Sequence, residues 1–221
     1  MHRLIVGSKT YQLASQHVPS NITVDPDNHY YWRYDRQRLD AEVIRDCMLA
    51  VSGNLRRDRP EGHPFPPQNK WTFSQHNPFK AVYRSQHRTV YLMTQRVQRH
   101  PFLAVFDGPD TNLSTATRTR SIIPQQALYL MNNPFVREQS KGFAQRLIVE
   151  TESVDQRIQQ AHLLAWGRSA RKTEVEKGRA YIEQYQKQLV AHEAKPAEIE
   201  LDTWTSYARI MIMSNEFLCV E

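Results

Sequence analysis

The sequence predicts a mainly α-helical bundle, preceded by a long irregular Pro-rich segment and accompanied by a minor β element. Three observations predict it. From Pro124 onward, apolar residues recur at helical spacing with only short breaks between the runs. Glycine is scarce at 7 residues while proline reaches 12, so turns are built from Pro, Asn and Asp rather than from flexible glycine loops. The 10 Tyr, 8 Phe and 4 Trp supply bulk for a hydrophobic core, which separates this chain of 221 residues from disordered ones.

Taken in order, His2 to Ser15 carries Leu4, Ile5, Tyr11 and Leu13 in a moderate helical pattern that fades towards Pro19. It opens in what reads as the body of a helix, with no capping residue ahead, as a chain does when it begins inside a domain. Gln16 to Tyr34 is a turn region, with Asp25-Pro26-Asp27-Asn28 as a turn and an aromatic cluster of Tyr30, Tyr31, Trp32 and Tyr34 anchoring the loop onto a core. Asp35 to Ser52 is the clearest early helix. Leu39, Val43, Ile44, Cys47, Met48, Leu49 and Val51 give it a broad apolar face, and Gly53 stops it. Arg38, Glu42, Arg45 and Asp46 fall on its solvent side.

Asn54 to Arg84 keeps no period, because Pro60, Pro64, Pro66, Pro67 and Pro78 interrupt it, and Trp71 and Phe73 suit a segment wrapped over the rest of the protein. Ser85 to Arg96 alternates and is β-branched, which predicts a strand. A short apolar turn, Phe102 to Phe106, then delivers the chain into a polar loop. Helices are expected over Pro124 to Asn132, Pro134 to Glu150, Ser153 or Asp155 to Trp166, and from a Thr173/Glu176 capping box to His192. A final, well-buried helix holds Trp204, Tyr207, Ala208, Ile210 and Met211.

The polar loop is the densest set of hydrogen-bonding side chains: Asp107, Asp110, Asn112, Ser114, Thr115, Arg118 and Arg120 are the candidate ligand-binding residues. Asp107, Asp110 and Asn112 carry oxygens at a spacing that suits a calcium-like site. The glycine and downstream glutamate of an EF-hand loop are missing, so no metal is assigned. The competing reading makes the acids and Asn112 Asx-turn and capping groups, with Arg118 and Arg120 pairing with the acids. His63, His76, His87 and His100 match no local ligand spacing and read as surface or satisfied histidines.

The net charge of +6 and pI near 9.4 favour an anionic partner. The excess is scattered in small groups such as Arg56, Arg57 and Arg59, without a run of five, so a specific nucleic-acid site is not expected. Cys47 and Cys219 form no CxxC or CxxCH motif, which excludes c-type haem attachment on this polypeptide and leaves two buried thiols or one long-range disulfide. The first residues lack the apolar core of a signal peptide, and no run approaches the length of a membrane span.

Several stretches in order, HRLIVGSKTYQLAS (His2 to Ser15), DPDNHYYWRYDRQRLDAEVIRDCMLAVSG (Asp25 to Gly53), FDGPDTNLSTATRTRSIIPQQALYLMNNPFV (Phe106 to Val136) and SNEFLCVE (Ser214 to Glu221), resemble the C-terminal domain of a planctomycete family. That family is a domain of unknown function, number fifteen-fifty-three, also called the PSD-one domain. RTVYL (Arg88 to Leu92) and AHLLAWGRSARKTEV (Ala161 to Val175) extend the resemblance. It implies a single C-terminal domain fragment over residues 1–221, loop-rich over 1–105 and helical over 106–221. It also implies upstream domains, haem c on an upstream module outside this polypeptide, and a periplasmic or otherwise exported location.

Three functions follow as expectations. The first is a non-catalytic or accessory helical domain of a larger exported, cytochrome-c-associated protein. The second is part of an extracytoplasmic hydrolase or carbohydrate-related enzyme with its polar site between Asp107 and Arg118. The third is a module binding polysaccharide or another anionic polymer through its arginines.

Overall fold

The computed structural model describes residues 1–62, 67, 69, 82–96 and 98–220. His63, His76, Pro64, Pro66, Pro78, Trp71 and Phe73, on which the wrapping and metal readings partly rest, lie outside the described residues. The fold is mainly α, as expected. Its elements run α1 (His2–Val6), α2 (Pro19–Val24), β1 (Gln37–Arg38), α3 (Ala41–Val51), a 3-10 turn (Thr89–Tyr91), α4 (Pro101–Val105), α5 (Pro124–Asn132), α6 (Pro134–Glu150), α7 (Val154–Trp166), α8 (Lys172–Ala191), α9 (Pro196–Met213), α10 (Asn215–Leu218) and β2 (Cys219–Val220).

The later helices begin and end where local chemistry demands. Pro124, Pro134 and Pro196 each take the first turn, where the missing amide hydrogen costs nothing. Asn133 closes α5 and caps α6 through its side chain, which accepts from the Phe135 amide at 2.9 Å. Because the residue before a proline is driven out of the helical region, a single residue separates the two helices. Ser153 and Gln156 form a reciprocal capping box on α7, and Gly167 ends it in the left-handed conformation at φ 71°. At α8 the expected Thr173/Glu176 box is replaced. Glu174 reaches back to the Arg171 amide at 2.7 Å instead, two residues earlier than the sequence suggested.

The core is a continuous cluster drawn from α3 to α10. Its most extensive seam lies between α6 and α9, where Phe143, Ala144 and Leu147 meet Trp204, Ala208, Met211 and Ile212, all at most 2% exposed. Ile158 of α7, Ile182 of α8 and Ile44 and Met48 of α3 complete it. Gly178 lets α8 approach closely, since a Cβ there would meet Ile158 Cδ1 at 3.0 Å and the Tyr207 hydroxyl at 3.1 Å.

Four expectations are corrected. Ser85 to Arg96 is no strand: Thr89–Tyr91 is a 3-10 turn, flanked by a lone bridge between Arg56 and His87. The two-stranded sheet instead pairs Gln37 with Val220 and Arg38 with Cys219, antiparallel. The first helix stops at Val6 because the Ser8 hydroxyl donates to the Ile5 carbonyl and turns the chain. In the aromatic cluster Tyr30 and Tyr31 point outward. The loop is closed by Asp25, whose carboxylate accepts from the His29 and Tyr30 amides and whose carbonyl accepts from the Trp32 indole at 3.0 Å. Finally, α3 turns Val43 outward at 42% exposure and Arg45 inward at 4%. Cys47 and Cys219 are not joined in a disulfide.

Candidate functional site

The polar loop leaves α4 through a close approach. Phe106 ends the helix, Asp107 takes a left-handed conformation at φ 58°, and the Gly108 amide donates to the Leu103 carbonyl at 2.6 Å. A Cβ at position 108 would sit 2.8 Å from that carbonyl oxygen, so glycine is required there. This turn aims the Asp107 carboxylate inward. Arg38 donates to it at 2.6 Å, and Ser121 donates both its amide, at 2.8 Å, and its hydroxyl. Arg38 also donates to the Ser121 and Phe106 carbonyls. Burial alone would raise the Asp107 pKa, but the Ser121 amide and the Arg38 guanidinium outweigh it and hold the group below its ordinary value. Gln126 joins the knot by donating to the Val105 and Ser121 carbonyls.

The other candidates are distributed along the loop rather than gathered with Asp107. Asp110 accepts from the Asn112 amide at 2.9 Å, an Asx-turn, while Asn112 and Thr111 tie the loop to the Arg96 and Gln95 carbonyls. Arg118 makes a forked pair with Glu42 at 2.6 and 3.0 Å, with Asp40 at 3.6 Å, and Arg120 donates to Gln37 at 2.8 Å. The expected partners of these arginines were Asp107 and Asp110. Their actual partners flank the start of α3, where acidic side chains also suit the helix N-terminus. Ser114 and Thr115 are exposed. As a whole the stretch straps the loop across α3.

A second polar arrangement lies where sequence reasoning saw only a solvent face. Arg45, buried on α3, donates to the Ser85 and His87 carbonyls and to the Thr89 hydroxyl. Beside it Asp46 accepts from the Thr89 amide at 2.7 Å and the Thr89 hydroxyl at 2.6 Å. Together they take the backbone groups a neighbouring strand would have used, which accounts for the missing strand. The segment they hold forms one wall of a cleft of about 880 Å³, whose floor includes Phe102, Tyr129, Phe135 and Gln139. His100 lines it too. Its Nδ1 is buried without a hydrogen-bond partner, and burial reinforced by the Arg45 charge lowers its pKa to about 4, so the ring is neutral at neutral pH. Among the described residues no three His, Cys, Asp or Glu side chains gather as a metal site.

With that geometry in view, the family model of PSD1, a protein of unknown function (DUF1553), matches residues 1–182. The chain belongs to this family. The match takes in every element from α1 to the first half of α8, and with them the strapped loop and the Arg45 clamp. Neither a curated protein nor a solved structure matches the chain.

In this PSD1 chain the side chains that matter most to the cleft, Arg45, His100 and Tyr129, were absent from the sequence-derived set. One signal could have found Arg45. A cation within a seven-residue apolar face, between Ile44 and Met48, calls for buried acceptors somewhere else in the chain. His100 carries no comparable signal, because the charge that acts on it, Arg45, belongs to α3, far away in sequence.

Proposed function

We propose that this chain is a non-catalytic, accessory helical domain of a larger exported protein that also carries a cytochrome c module, and that its N-terminal face docks against that protein's other domains. The observation that carries this reading is the surface of the first 31 residues. Neither α1 nor α2 buries a residue, and Leu4 at 80%, Val24 at 82% and Tyr30 at 83% exposure stand in one stretch with Ile5, Val6 and Tyr31. Soluble chains seldom leave that much apolar surface to water without a partner. The absence of any described helix long and apolar enough to cross a membrane makes a protein partner a better fit than a bilayer core.

The polar loop lends less support to a hydrolytic reading. Asp107 spends its carboxylate on Arg38 and Ser121, and Asp110 spends one oxygen on Asn112, so neither is poised as a free acid or base. The docking reading is tested by hydrogen exchange on residues 2–31, measured for this chain alone and after mixing with the polypeptide encoded upstream in the same reading frame. Protection on mixing, lost in Leu4→Asp, is the expected result. Equal exchange in both states, or an upstream frame with no CxxCH, would count against it.

A further inference from the structure

The large cleft does not end at Phe135. A second, shallower one of about 630 Å³ continues along α6, lined by Asn54, Lys141, Gln145 and Arg146, and the two share Gln86 and Glu138 as common walls. Lining residues on α6 run from Pro134 to Glu150, so the combined groove follows that helix for roughly 24 Å at 1.5 Å per residue. One end is aromatic, with Tyr91 and Phe135. The other is lined by side-chain amides and charged groups.

The charges along it are largely offset from within. Arg56 pairs with Asp58 at 2.9 Å and Arg146 with Glu150 at 2.8 Å, while Arg45 gives its donors to backbone carbonyls. Arg84 and Lys141 also line the groove, matched in number by Glu61 and Glu138, so little net positive charge remains to draw an anion. What the groove offers instead is a row of amides, each both donor and acceptor, beside the exposed ring of Tyr91 and the half-buried ring of Phe135, over which the Arg45 guanidinium lies at 5.3 Å. Its depth is set by rigid elements. Asn54 is fixed by Gln139 at 3.0 Å, and Gly142 lets α6 approach the Ser52–Asn54 turn, where a Cβ would meet Asn54 Nδ2 at 3.0 Å.

We propose that this groove binds a neutral polysaccharide chain. A sugar ring presents an apolar face of C–H bonds for Tyr91 and Phe135 and a rim of hydroxyls that are each donor and acceptor, matching Asn54, Gln86 and Gln145. A polymer suits a groove open along its length better than a compact ligand does. The site is distinct from the N-terminal docking face and stands or falls separately from it.

The test is affinity electrophoresis of the whole chain through native gels containing laminarin, xylan or galactomannan, beside a non-binding reference protein. Retardation in at least one gel, unchanged by added salt, is expected. Gln86 and Gln145 are both exposed, so the Gln86→Ala/Gln145→Ala variant should keep its far-ultraviolet circular dichroism. Its dissociation constant should rise by about fivefold or more for the lost hydrogen bonds. Tyr91→Ala, also at an exposed position, should weaken binding independently. Migration at the reference rate in all three gels would overturn the proposal. So would retardation that both variants leave intact, or salt-sensitive retention on heparin in place of neutral-glycan binding, which would mark the groove as an anionic-polymer site.

Discussion

The α6–α9 seam and the segment 82–93 are held by opposite means. Along the seam every backbone group is satisfied within its own helix, so the contact is made by apolar side chains such as Phe143, Leu147, Trp204 and Ile212. The segment 82–93 has only a 3-10 turn and one bridge, and its carbonyls and amides are met instead by two side chains of α3. A helix brings its own hydrogen bonds, whereas an irregular segment must borrow them. The consequence is that stability in the seam is spread over many residues, while in the segment it is concentrated in Arg45 and Asp46.

The contrast can be broken at either end. Trp204→Ala, which empties a site 1% exposed, should cost about 3–5 kcal/mol and lower the urea midpoint of the whole chain. Arg45→Met should cost about 3 kcal/mol by leaving the Ser85 and His87 carbonyls and the Thr89 hydroxyl without their guanidinium donor. Hydrogen exchange should then accelerate in residues 82–93 before it does in α6 and α9. Equal acceleration in both would show that the two regions open as one unit.

Smaller effects sharpen the picture. Asp107→Asn keeps the size of the side chain but removes the charge facing Arg38, and should cost about 1–3 kcal/mol. Its depressed pKa means that this stabilisation is present above the unfolded carboxylate range and is lost as pH falls through the folded value, so wild type and variant should converge in acid. His100 gives a slope of the same sign in a different window. Unfolded, it takes a proton near pH 6.5, but folded it refuses one until about 4. Stability should therefore fall as pH drops from 6.5 towards 4, and His100→Gln should flatten the melting temperature over that interval. At the far end of the scale, Leu4→Asp should change stability by no more than about 0.5 kcal/mol, since the residue is 80% exposed.

The same contrast sorts what the sequence could reveal. The limits of α5 and α6 follow from Pro124, Asn133 and Pro134, and that of α7 from Ser153 and Gly167, all signals within one turn of the boundary they set. The strand expected at 85–96 failed because β-propensity reports a fit to a pleated surface, and among the described residues only the lone Arg56–His87 bridge pairs with it. The partners of the polar loop were equally hidden. Arg118 meets Glu42 across 76 positions and Arg38 meets Asp107 across 69, separations that composition and periodicity cannot bridge. The loop itself was visible as a dense polar stretch; which of its side chains turn inward was decided by the left-handed turn at Asp107.

The one-residue joint at Asn133 has a mechanical consequence. With no slack between α5 and α6, Tyr129 on one and Phe135 on the other are the two faces of a stiff corner, and the aromatic end of the groove inherits its shape from that corner. A single glycine inserted after Asn133 would act like a swivel, adding about 100° of helical phase and one freely rotating link. Tyr129 and Phe135 would then face different directions, although neither helix had lost a residue.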